Sequence, residues 1–122
     1  MAYDRQIEVK DGFVEALLAG QLTRADLPAE KNWFGELGDT CAEFKCPYVL
    51  IDARALEVDL SYFDVVKAGL DLLKLKRSIN KLALVLREDQ VRPDNAFLSV
   101  VGSGVRFFNE YADAQHWLQE AS

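Results

Sequence analysis

The sequence is short of several residue types, and each shortage removes a class of function. It has one histidine and two cysteines, too few for the four Cys/His ligands of a structural zinc site, so no metal or cofactor is expected. Cys41 and Cys46 lie five apart with no secretory signal before them, which makes reduced thiols the expectation rather than a disulfide. Basic residues are outnumbered, 14 Lys and Arg against 20 Asp and Glu, for a net charge of -6. Because Lys and Arg carry affinity for phosphate backbones, no nucleic-acid partner is expected. Apolar runs are only a few residues long, against the roughly 20 needed to span a bilayer. Residues 1–10 carry Asp4, Arg5 and Glu8 and lack the apolar core of a signal peptide, so a cytoplasmic location is expected. Three prolines and seven glycines are scattered without forming a linker. With no repeat or low-complexity stretch either, residues 1–122 read as one domain.

What is present is ordinary globular usage, 50% hydrophobic and 28% charged, enough to bury a core. Arg5 to Val9 alternates in character, Lys10-Asp11-Gly12 offers a hairpin turn, and Phe13 to Leu18 supplies the returning strand. Thr23 is a candidate N-cap. Beyond it Leu27, Phe34, Leu37, Cys41 and Phe44 recur at helical spacing, predicting a long first helix bent near Pro28. Pro47 blocks continuation, and Tyr48-Val49-Leu50-Ile51 reads as a central strand buried on both faces. Ser61 with Asp64 is a capping-box variant opening a second helix over Tyr62 to Leu75. Lys81 to Leu86 is another buried strand. Pro93 starts a short third helix that ends at Gly102-Ser103-Gly104. Val105 to Phe108 makes the last strand, and Tyr111, Ala114, Trp117 and Leu118 face inward from a final helix. The pattern predicts an α/β fold in which an N-terminal β-hairpin strand precedes four sequential β/α units, their mostly parallel sheet covered by helices.

Several segments, in this order, resemble the SpoIIAA-like proteins, relatives of the STAS domains of anti-sigma-factor antagonists. They are Gly20-Gln21-Leu22-Thr23 with Asp26-Leu27, Val49-Leu50-Ile51-Asp52 with Arg54-Ala55-Leu56, Lys81 to Val85, Val105 to Phe108, and Ala112 to Leu118. The resemblance spans nearly the whole chain. It implies the SpoIIAA-like fold and two kinds of function: phospho-regulated protein binding, as in the antagonists, or binding of small apolar ligands, as in the CRAL-TRIO domains with which the family is compared.

The leading expectation is a non-catalytic binding module for a small hydrophobic or lipid-like ligand. Phe63, Val66, Leu70 and Leu73 of the second helix would line a cleft with Phe97, Leu98 and Val101 of the third. The same stripe also fits packing on the sheet or a homodimer interface. Lys74, Lys76, Arg77 and Lys81 form a basic cluster that could meet an anionic surface, with peripheral membrane contact, or simply complement a helix C-terminus. The alternative is an antagonist-like protein–protein regulator. Ser61 stands nine residues after Asp52, the offset of the phosphorylated serine in the STAS pattern, although Leu60, Tyr62 and Phe63 differ from that pattern's Asp-Ser-x-Gly. As a plain alternative, Ser61 is the helix N-cap. Asp52 has no second acid, base or metal partner evident in sequence, His116 has no triad around it, and Gly102-Ser103-Gly104 lacks the Lys-Ser/Thr of a phosphate loop. No enzyme is expected.

Overall fold

Asp11-Gly12 reverses the chain at the amino-terminal hairpin. The Lys10 N–H donates to the Phe13 carbonyl at 2.8 Å, and Gly12 takes φ +92°, a region costly for any residue with a Cβ. The computed structural model describes residues 4–23, 25, 27–59, 79–87 and 104–120, with backbone alone at 27–34 and 58–59. The hairpin pairs β1 (Asp4–Val9) antiparallel with β2 (Val14–Thr23), in the register Val9↔Val14 to Asp4↔Ala19. On β2, Val14, Ala16, Leu18 and Leu22 are buried toward one face, the period-2 alternation of a strand between two environments.

Helix α1 (Leu27–Glu43) follows and buries Leu37 and Cys41, one turn apart, on that same face. Its end is a Schellman motif. The Cys46 N–H donates to the Cys41 carbonyl at 2.9 Å and the Lys45 N–H to the Ala42 carbonyl at 3.3 Å, while Lys45 sits at φ +51°, the left-handed position usually held by glycine. The helix therefore stops before Phe44, which is 54% exposed. The expected inward position of Phe44 is corrected accordingly.

Strand β3 (Tyr48–Asp59) is far longer than the expected Tyr48 to Ile51. It pairs parallel with β2 on one side and with β4 (Lys81–Val85) on the other, and β5 (Val105–Phe108) completes the order β1-β2-β3-β4-β5. The β2–β3 ladder slips between Leu17↔Asp52 and Ala19↔Ala55, so that Ala53 and Arg54 together oppose the single residue Leu18. This is the count of a β-bulge. Its effect on side-chain direction is visible in the core: Val49, Ile51 and Ala53 face α1, and the next residue to do so is Leu56.

Helix α2 (Tyr111–Gln119) lies against the opposite face. There Ala114 and Leu118 pack with Phe13, Leu50, Ala83 and Val85, flanked by Tyr48, Phe108, Tyr111 and Trp117. Leu50, Leu82 and Leu118 are almost wholly buried, each contributing on the order of 2 kcal/mol by removal from water. The mostly parallel α/β sheet with helices on both faces agrees with the sequence expectation. The expected second helix and Pro93-initiated third helix lie outside the described residues. Among the described residues, no helix is long and apolar enough to cross a membrane.

Candidate functional site

In open parallel sheets, binding residues gather where the strands end. Here Asp52 is level with Val85, the last residue of β4, and Val85 is level with Phe108, the last of β5. Strand β3 continues past that level to Asp59, still paired with β2 as far as Thr23. The carboxyl edge is therefore stepped, with β2 and β3 forming a ledge beside the shorter β4 and β5.

Charged side chains occupy the riser of this step. Asp52 is 6% exposed and is held by Arg54, whose Nε donates to Oδ1 at 3.0 Å and whose Nη2 donates to Oδ2 at 2.9 Å. The Arg54 backbone N–H adds a third bond to Oδ1 at 3.2 Å. A buried carboxylate requires such pairing to offset its desolvation. The Arg54 guanidinium is correspondingly held above its ordinary pKa, first by the hydrogen bond to Asp52; burial opposes this, and the charges of Asp52 and Glu110 add to it. Arg87, just beyond β4, reaches across the step to donate to the Arg54 carbonyl and, at 3.0 Å, to Glu57 on the ledge. On the same side the Tyr111 hydroxyl, from the first turn of α2, donates to Glu15 of β2. Its pKa is pushed up to about 12, by burial first and then by Glu15. Asn109 donates to the Leu86 carbonyl at 3.2 Å, fixing the turn from β5 into α2.

Asp52 is expected at the carboxyl end of a strand; the structure corrects this, placing it within β3, where Arg54 grips it bidentately. The sequence does not single out Arg54, Glu57, Arg87, Glu15 and Tyr111 as one cluster. The available signal was Asp52-x-Arg54, opposite charges two apart on a strand and hence on one face. Chemically, the cluster is a set of matched charges: Asp52 is tied to arginine, and Tyr111 retains its proton well above neutral pH.

Of the residues expected to contact ligand or partner, Ser61, Phe63, Val66, Leu70, Leu73, Lys74, Lys76, Arg77, Phe97, Leu98 and Val101 lie outside the described residues. Lys81 is described. Its Nζ donates to the Trp117 carbonyl at 3.0 Å and lies 5.1 Å from the Trp117 ring centre, so it complements the C-terminal end of α2. Cys41 and Cys46 are free thiols. Burial raises the Cys41 pKa to about 11, which keeps it a thiol and a poor nucleophile. His116 is exposed on the last turn of α2.

No protein-family model matches the sequence, and no curated protein matches it significantly. Solved structures do. A crystal structure of an anti-sigma factor antagonist from Mycobacterium paratuberculosis aligns with TM-score 0.70 at 17% identity, over 98% of this chain and 96% of that one. An uncharacterized DUF3478 family protein with a SpoIIAA-like fold, from Shewanella loihica PV-4, aligns with TM-score 0.58 at 24% identity, over 95% and 93%. The chain has the SpoIIAA-like fold. Within this SpoIIAA-like framework the stepped carboxyl edge carries paired charges contributed by β3 and the segment after β4, with Glu110 and Tyr111 at the start of α2 beside them; Glu15, which accepts from Tyr111, lies near the start of β2.

Proposed function

We propose that the chain is a non-catalytic protein–protein regulator of the anti-sigma-factor-antagonist kind, docking its partner on the stepped carboxyl edge. The observation that carries this reading is the structural likeness to an anti-sigma factor antagonist, which extends over 98% of the chain. The chemistry of the edge agrees with it: Arg54, Glu57, Arg87 and Glu110 present charge of both signs, which favours register and partner choice over catalysis. Ser61 stands two residues beyond Asp59, the last residue of the ledge. Phosphorylation there would add a charge of about -1.5 to -2 close along the chain to the docking surface, and would act as the switch. The apolar-ligand and membrane-contact expectations rest mainly on residues outside the described set, and the comparisons lend them no support.

The test is quantitative capture of cellular proteins on the immobilised full chain, comparing the original sequence with Ser61→Ala, Ser61→Glu and Arg87→Glu. A partner retained by the original and Ser61→Ala chains should lose about tenfold or more in affinity, roughly 1.4 kcal/mol, with Ser61→Glu and with Arg87→Glu. Equal retention on all four chains refutes the reading. A co-purifying apolar molecule released on denaturation, seen by native mass spectrometry, would replace it with the ligand-binding alternative.

A further inference from the structure

β1 is an edge strand: among the described residues it pairs with β2 alone. Which of its backbone groups face outward follows from the hairpin. The turn is closed by the bond from the Lys10 N–H to the Phe13 carbonyl, so Lys10 and Phe13 form a hydrogen-bonded pair. Antiparallel ladders alternate hydrogen-bonded with non-hydrogen-bonded pairs. In the register Val9↔Val14, Glu8↔Glu15, Ile7↔Ala16 and onward, Asp4, Gln6 and Glu8 therefore turn their N–H and C=O groups toward β2. Arg5, Ile7 and Val9 turn theirs away from the sheet. Long edges of this kind are templates for another strand unless charge opposes it, and here the arrangement of charge selects one partner.

We infer that β1 pairs antiparallel with β1 of a second copy of this chain, about a two-fold axis through Ile7, joining two sheets into one. A two-fold axis perpendicular to the sheet keeps each residue on its own face, so only registers that oppose residues an even number apart are allowed. Centring on Ile7 places Ile7 against Ile7 and Arg5 against Val9, all with outward backbone groups, in hydrogen-bonded pairs. Gln6 then opposes Glu8, and Asp4 opposes Lys10 of the second copy, twice over. The neighbouring registers fail. Centring on Gln6 sets Asp4 against Glu8 at both ends, and centring on Glu8 sets that carboxylate against its own copy; like charges directly opposite destabilise a sheet. Every allowed register opposes outward backbone groups, so charge and ladder length make the choice: centring on Arg5 sets that cation against its own copy, and centring on Val9 runs Ile7 and Gln6 against the turn residues Asp11 and Gly12, which shortens the ladder. Lys10 is already extended on this face, its Nζ 2.7 Å from Glu8 Oε2, and Val9, 45% exposed in the single chain, gains an apolar neighbour in the stem of Arg5. Beside the strand a groove of about 310 Å³, lined by Asp4, Arg5, Ile7 and Glu36 of α1, leaves room for the approaching Val9 of the second copy.

Sedimentation equilibrium of the full chain over a wide concentration range tests this. A reversible monomer–dimer equilibrium is expected. Asp4→Lys and Lys10→Asp should each weaken the dimer by about tenfold or more, and the combined exchange Asp4→Lys/Lys10→Asp should restore it to within about threefold of the original. Ile7→Pro, which removes an outward N–H at a position where an edge strand tolerates proline, should abolish it, with circular dichroism confirming the fold of every variant. A chain that stays monomeric overturns the inference, whether its edge is left bare or accepts an extended segment of some other protein. A dimer indifferent to the charge reversals, or one the exchange fails to rescue, overturns it as well.

Discussion

Removing the Arg54 guanidinium would leave Asp52 in the protein without its counter-ion, and the size of that effect can be worked from the structure. The Asp52 side chain is 8% exposed, whereas that of Arg54 is 42% exposed. Breaking a fully buried pair by deleting one partner costs about 3–5 kcal/mol, because the remaining charge is uncompensated. Water reaches this arginine, which lowers its contribution toward that of a surface pair, and the bond from the Arg54 backbone N–H to Asp52 survives the substitution. Arg54→Met should therefore destabilise by about 2 kcal/mol, a fall of roughly 6–10 °C in Tm for a chain of this size. Urea denaturation followed by circular dichroism reads the effect as a lower midpoint with unchanged slope. The companion variant Asp52→Leu/Arg54→Met replaces the pair with apolar groups and should lie within about 1 kcal/mol of the original chain. The reasoning is refuted if Arg54→Met shifts stability by less than about 0.5 kcal/mol, or if the two substitutions prove additive.

Two further outcomes follow from the geometry. Lys45 occupies a left-handed position at φ +51°, so Lys45→Gly should stabilise the chain by about 1 kcal/mol by relieving the Cβ contact; an unchanged or lower urea midpoint would contradict the assignment of the helix stop. Tyr111 has its pKa raised to about 12 against about 10 in an unfolded chain, so its contribution is complete below pH ~10 and is lost as the pH rises toward ~12. Tyr111→Phe should lose about 1 kcal/mol near neutral pH and flatten the alkaline decline, measured by denaturation across that range; an identical decline in the variant would rule out Tyr111 as its source.

Much of the fold is legible in residue pattern. The hairpin is announced by Asp11-Gly12 between alternating segments, and Val105 to Phe108 is a strand with the expected limits. Strand β3 is not legible beyond Ile51, because its inward positions run 49, 51, 53 and then 56. That slip, caused by the bulge, destroys the period-2 signal over the stretch that carries Arg54 and Glu57. Phe44 misleads for a related reason: it continues the helical spacing, but α1 is already closed by the carbonyls of Cys41 and Ala42. The site was harder still. Asp52 and Arg54 are neighbours in sequence, but Arg87 and Tyr111 join them only through the parallel register and the turn after β5, and no local pattern carries that information.

Among the described residues, the two faces of the sheet are covered by helices far apart in the chain, α1 on one and α2 on the other. Leu37 and Cys41 cover one face early, whereas Phe13, Leu50 and Val85 on the other face receive Ala114 and Leu118 only when α2 is in place. During synthesis α1 is available long before α2, so Phe13, Leu50 and Val85 wait for the side chains of Ala114 and Leu118 until residues 111–119 have emerged. Truncation or ribosome stalling upstream of α2 would therefore leave that face without Ala114 and Leu118, and exposed apolar surface of this kind promotes aggregation and capture by chaperones.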